Sequence, residues 1–257
     1  MISKKLYIII ITVFVVFFVV MFGMFGIDEL RKEGLDLTII MGNRSVWKYN
    51  NKKWIHLSSN SSKANLNWQK YHVYSNYEYL GEYYLWNDDE WYAFDEDRNA
   101  VTMSSDFLAF ASNYELVFYP FSEEDVTDFS SVKTVLNKYN LDEDSALSSA
   151  YHVESDFDSD GIVEDFYVIS NVFVKEEVDE KFSFVYMVKE NKITMIYEDI
   201  SNSSSSSTCS PYFTSFLDVD RDSTFEFILS CEKYSVDGRV DMLYQFKNKE
   251  FKIAISN

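Results

Sequence analysis

Two acidic stretches carry the clearest chemistry in this chain. Asp156 opens DFDSDGIVEDFYVIS and Asp218 opens DVDRDSTFEFILS. Each sets three aspartates at alternate positions and a glutamate at the ninth, then runs into apolar, β-type sequence. A D-x-D-x-D spacing turns three carboxylates inward on a tight loop, and a backbone carbonyl completes a cluster of hard oxygens. Calcium prefers six to eight such oxygens at about 2.3–2.6 Å. The predicted ligands of the first loop are Asp156, Asp158, Asp160, the carbonyl of Ile162, and Glu164; those of the second are Asp218, Asp220, Asp222, the carbonyl of Thr224, and Glu226. Gly161 supplies the positive φ that lets the first loop turn around an ion. The alternative for either loop is a solvated acidic turn. An EF-hand is excluded, because the position of its bidentate acid holds Tyr167 in one loop and Leu229 in the other.

These residues resemble the D-x-D-x-D-G-x-x-[DE] strand motif of FG-GAP and VCBS repeats, found in integrin-α-type β-propellers and many bacterial surface proteins. The resemblance covers Tyr151 to Phe173 and Ser215 to Ser230. It implies calcium held structurally in β-hairpin loops, and a propeller-like or partial-propeller fold. Ser223 stands where the motif has glycine, which implies a weaker second site, since a non-glycine residue at positive φ costs on the order of 1 kcal/mol. Extracellular modules of this kind work at about 10⁻⁴–10⁻³ M calcium, a level the cytosol does not offer.

The loops belong to a longer repeat. They are offset by 62 residues, and the polar turns of the hairpins that follow them, YMVKENKITMI from Tyr186 and YQFKNKEFKIAI from Tyr244, by 58. WKYNNKKWIHL from Trp47 and YLWNDDEWYAF from Tyr84 share the same pattern of alternation, polar turn and alternation, which reads as a β-hairpin. Between the halves, Ser131 or Asp128 is placed to cap a short amphipathic helix near 128–140 bearing Val132, Val135 and Leu136. The fold expected is mainly β: an N-terminal transmembrane helix, then an antiparallel hairpin and repeat ectodomain with one short helix. Its parts are a cytoplasmic tail and anchor at 1–27, an N-terminal β-hairpin domain at 28–125, a helical connector at 126–150 and a C-terminal β domain at 151–257.

The anchor is expected from Leu6 to Ile27, 22 residues without a charge. At about 1.5 Å per residue this spans about 33 Å, enough for a hydrocarbon core of about 30 Å. A long signal peptide is the alternative, but no small-residue cleavage pattern follows the run. Lys4 and Lys5 favour a cytoplasmic N-terminus, although Arg31, Lys32, Arg44 and Lys48 beyond the span offset them. The calcium loops decide for an extracellular C-terminal domain.

Removing the two positive charges of Lys4 and Lys5 from a net charge of −19 leaves −21. A field of that sign repels nucleic acid and anionic lipid and attracts cations. Cys209 and Cys231, one on each side of the second loop, suggest a disulfide in an exported chain, worth about 3 kcal/mol for a loop of this length; two buried thiols are the alternative. The richness in Asn, Lys, Ile, Phe, Tyr and Ser suggests an AT-biased bacterial genome.

No catalytic apparatus is visible. His56, His72 and His152 lie outside any H-E-x-x-H pattern, and there is no G-x-S-x-G elbow. Asp88, Asp89 and Glu90 read as a solvated turn. The expectation is a non-enzymatic surface module that binds a glycan or protein ligand, with Trp47, Trp54, Trp86 and Trp91 as a candidate aromatic platform, though core positions suit most of them. Alternatives are an accessory subunit of an envelope assembly and an enzyme with an unrecognised site.

Overall fold

A computed structural model describes residues 36–257 apart from 43–44, 51–52, 59, 76, 89, 102–109, 120, 148, 176, 202–207, 220–223, 234–237, 248–249 and 257. The expected anchor, Leu6–Ile27, therefore lies outside the described residues. Among those described, no helix is long and apolar enough to cross a membrane.

The chain builds three antiparallel sheets. The N-terminal sheet comprises β1 (Leu37–Met41), β2 (Ser45–Asn50), β3 (Lys53–His56), β4 (Lys70–Ser75), β5 (Glu78–Asp88), β6 (Glu90–Phe94), β7 (Ala100–Val101) and β8 (Phe110–Ser112), in the order β3-β2-β1-β8-β4-β5-β6-β7. A short helix, α1 (Asn60–Ala64), precedes β4. The middle sheet begins with β9 (Val117–Tyr119), which pairs with β15 (Ser210–Asp218) and is followed across by β16 (Glu226–Lys233), β17 (Gly238–Lys247) and β18 (Glu250–Ser256). The third sheet runs β10 (Glu123–Asp125), β11 (Ala150–Ser155), β12 (Glu164–Val174), β13 (Glu177–Lys189) and β14 (Lys192–Ser201). Among the described residues these sheets do not close into a barrel.

The internal repeat is a pair of four-stranded meanders, β11–β14 and β15–β18. Glu164 and Glu226 open their second strands, and Lys189 and Lys247 end their third. All four expected hairpins form. In β13–β14 the turn is Glu190–Asn191 at φ 50° and 64°, a pair of positive values matching the twist that two-residue hairpins need.

Alternation decides how the sheets stack. In the middle sheet Phe213, Phe227, Leu229, Cys231, Met242 and Tyr244 face β11–β14 and join Val153, Phe157, Phe166, Val168 and Val185 in one core. The neighbouring residues Leu217, Ile228 and Leu243 face the other way, onto Leu37, Ile39, Trp47, Tyr74 and Phe110 of the N-terminal sheet. The middle sheet is thus apolar on both faces. The far side of the third sheet is covered by α2 (Ser130–Tyr139) and α3 (Glu143–Leu147), which bury Val132, Val135, Leu136 and Ala146 against Tyr167, Ile169, Phe184 and Tyr186.

The expected helix falls where the sequence places it, but α1 and α3 make three helices among the described residues where one was expected. The N-cap of α2 is Phe129, without a side-chain cap, rather than either expected residue: Asp128 just before it accepts the Ser130 N–H at 2.9 Å, and Ser131 lies inside the helix with its hydroxyl 3.4 Å from Tyr186 Oη. Asn140 at φ 54° ends it, a left-handed residue that lets the Leu141 N–H reach the Leu136 carbonyl at 2.9 Å.

Two outcomes follow. Phe166 is fully buried and packs edge-on to Phe157, Phe213, Phe216 and Phe227, so Phe166→Ala is expected to lose about 3–5 kcal/mol in chemical denaturation. The Ser130 hydrogen bonds hold the Asp128 carboxyl below its usual range. A depressed folded-state pKa gives stability that is present above the unfolded value and is lost as pH falls through the folded one. Asp128→Ala is therefore expected to be less stable than wild type at neutral pH, with urea-melt stabilities converging as the pH drops below about 3.8.

Candidate metal centre

The first Asp loop joins β11 to β12, and its position is set by Phe157. That ring is wholly buried between the two repeat sheets, against Phe166, Phe246 and Phe251. The Phe157 N–H donates to Glu164 Oε2 at 3.2 Å, and its carbonyl accepts the Phe225 N–H of the second loop at 2.7 Å. With Phe157 held inward, the residues on either side project their carboxylates toward the loop interior. Ser159 and Gly161 turn the chain at φ 57° and 85°. A side chain at Gly161 would meet no neighbour, so its requirement is for backbone conformation alone. Asp156 Oδ2 accepts the Gly161 N–H at 3.1 Å, and Asp160 Oδ1 the Ile162 N–H at 2.8 Å.

Carboxylate oxygens of Asp156, Asp158 and Glu164 lie within 4.8 Å of one another. Glu164 is completely buried, and Oδ1 of both Asp156 and Asp158 is buried without a hydrogen-bond partner. Converging carboxylates with oxygens that lack donors are ligands of the type a hard cation such as calcium accepts, and these three residues could hold one. Asp160 stands at the edge of the group, and Ile162 follows it with an exposed side chain.

One participant was not foreseen. Lys189, at the end of β13, places Nζ 2.9 Å from Asp158 Oδ2, 2.6 Å from Asp160 Oδ2 and 2.6 Å from Glu164 Oε1. Burial by itself would lower the ammonium's pKa, but the hydrogen bonds to Asp160, Glu164 and Asp158 outweigh it and raise the value. The same lysine lowers the Asp160 carboxyl, while burial, against the pull of Lys189, raises that of Glu164. A signal existed: Lys189 and Lys247 are 58 residues apart, at the same place in both repeat hairpins.

The second loop repeats the framework with different chemistry. Glu226 Oε2 accepts the Val219 N–H at 2.9 Å, the counterpart of Glu164 and Phe157. Its Oε1 accepts the Gln245 side-chain amide at 3.0 Å, and Gln245 Oε1 accepts Lys247 Nζ at 2.8 Å. Asp218 is buried at the end of β15 and Thr224 half-buried. Asp220 and Asp222 lie outside the described residues.

Cys209, just before β15, and Cys231 on β16 lie at disulfide distance, with Cα atoms 5.4 Å apart, inside the core between the repeat sheets. A further cluster joins His152, Glu154 and Asp165, whose ligand atoms lie within 4.8 Å of one another. His152 Nε2 is 3.7 Å from Glu154 and 4.0 Å from Glu124. The i, i+2 spacing of His152 and Glu154 on one strand was the available sign; Asp165 is added only by register. No known family, curated protein or solved structure matches this chain.

Removing the Glu164 carboxylate strands a buried backbone donor and leaves Lys189 short of a partner. Glu164→Ala is expected to destabilise by roughly 1–3 kcal/mol or more in chemical denaturation, and Asp160→Ala by clearly less, because Asp160 lies at the solvent edge.

Proposed function

We propose that this chain is a non-catalytic binding module of the cell surface. In this reading Leu6–Ile27 spans the membrane, the N-terminus is cytoplasmic, and the sheets lie outside with calcium as a structural ion on Asp156, Asp158 and Glu164. Two repeats of FG-GAP or VCBS type would form a partial propeller. A Cys209–Cys231 disulfide agrees with an oxidising compartment, and the charge of −19 argues against nucleic acid as a partner.

The observation that carries the reading is an exposed aromatic face on β5–β6. Trp86 pairs with Tyr92 and Tyr84 with Phe94 across the hairpin, on the face opposite the buried Leu85, Trp91 and Ala93. Trp68 lies over them, its ring centroid 5.4 Å from that of Trp86 and 5.0 Å from that of Phe94, with the Arg98 guanidinium 5.3 Å above it. Trp68 and Tyr92 remain 42% and 45% exposed. Trp68 also holds φ at 60°, its N–H tied to the Leu85 carbonyl at 2.7 Å. A left-handed backbone costs a bulky residue roughly 1–2 kcal/mol, and here that conformation serves to present a tryptophan to solvent. Strain of this kind concentrates at ligand-binding positions. Of the platform expected from sequence, Trp47 and Trp91 are buried in the core and Trp54 packs against it; the half-buried Trp86 belongs to the β5–β6 face, and Trp68 joins it.

Tilted aromatic rings with a polar rim suit the apolar faces of sugar rings, so the ligand class is a surface glycan. An immobilised glycan array probed with the full chain in detergent tests this. Wild type is expected to bind a subset of glycans, and Trp68→Ala at least about tenfold more weakly. Absence of glycan binding, or binding untouched by both Trp68→Ala and Trp86→Ala, would sink the reading.

A further inference from the structure

We infer that Lys189 is the resident cation of the first Asp loop, and that calcium enters only by displacing its ammonium; this rests on the calcium reading above. The ammonium is held by Asp158, Asp160 and Glu164 at 2.9, 2.6 and 2.6 Å. Calcium on Asp156, Asp158 and Glu164 would share Asp158 and Glu164 with the ammonium, at about 2.3–2.6 Å from each ligand oxygen. One hollow cannot hold both, since the two positive charges would come within a few ångströms of each other and compete for the same lone pairs.

The lysine also answers a requirement that exists without any metal. Glu164 is completely buried, and a buried charge without a counter-charge is strongly destabilising. An ammonium carried on the adjacent strand meets that requirement permanently. A loop whose carboxylates depended on free calcium would spring apart in its absence; this one keeps its geometry because its cation is covalently attached.

The second repeat provides an internal comparison. By the pairing register Gln245 stands across from the buried Glu226 as Lys189 stands across from Glu164, and the Gln245 amide meets Glu226 at 3.0 Å. Lys247, at the same place as Lys189 relative to the hairpin turn, lies two residues beyond Gln245, with its Nζ 2.8 Å from Gln245 Oε1. Lys189 therefore reaches the glutamate and aspartates directly, whereas Lys247 acts through an intervening amide. One difference between the copies, lysine or glutamine across from the buried glutamate, decides whether that carboxylate meets an ammonium or an amide.

The test is calorimetric titration of calcium into the full chain in detergent, for wild type and Lys189→Met, with thermal melts in chelator and in calcium. Lys189→Gln, which keeps a hydrogen-bonding group, serves as a second neutral variant. Both are expected to bind calcium at least about tenfold more tightly than wild type. Both are also expected to melt at lower temperature than wild type in chelator and to regain that loss in calcium. Variants that fold only in calcium support the inference too; variants that calcium cannot rescue count against it. If wild type binds calcium and both neutral variants bind no more tightly, the role of Lys189 is overturned and the calcium reading stands. Binding by the variants alone upholds Lys189 as the cation and overturns calcium as the native ligand. Absence of binding in all three overturns both.

Discussion

The whole arrangement depends on a middle sheet that is apolar on both faces. Phe227 and Leu229 point to one side and Ile228 to the other, all without solvent exposure. A five-stranded sheet of this kind cannot stand at the surface, because either face left open would return a large apolar area to water at roughly 25 cal/mol per Å². It must be covered twice. The sheet of the first repeat, β10–β14, covers one face and the N-terminal sheet the other, and the third sheet is in turn closed by α2 and α3 on its far side. Even the edges reflect this demand: β9, from the N-terminal half, pairs with β15, and β10 pairs with β11. Pairing across the two halves ties them into one layered body.

The Asp loops sit at the end of this stack, where its regular hydrogen bonding stops. Each loop is fastened by a glutamate that opens the second strand of its meander and takes a backbone N–H seven residues earlier. The chain uses one device twice for a geometric task and then solves the electrostatics differently in each copy. Glu164 is met by an ammonium, Glu226 by an amide. The aspartates of the first loop thus gather around a lysine, and acid spacing is only half the description of the site.

The aromatic face shows a similar division. Alternation along β5 and β6 sends Leu85, Trp91 and Ala93 inward, and the same alternation sends Tyr84, Trp86, Tyr92 and Phe94 outward. Sheet patterning supplies the outward rings, but it does not supply Trp68. That residue comes from the turn after α1 and reaches the face only through a left-handed backbone.

By itself the sequence determined the strand and hairpin pattern, the helix at 130–139, the repeat, and the pairing of the two cysteines. All of these rest on short-range rules: period-two alternation, turn chemistry, the helical spacing of Val132, Val135 and Leu136, and an even thiol count. It also located the first acidic loop, because D-x-D-x-D followed by glycine fixes local geometry over a few residues. Only the tertiary structure decided that Lys189 enters that loop, since 25 residues separate it from Glu164 and the contact exists only once β12 and β13 are paired. The same holds for the Phe157–Phe225 bridge between the loops and for Asp165 beside Glu154. It also holds for the burial of Trp47 and Trp91 beside the exposure of Trp68, because which face of a strand is covered depends on what packs against it.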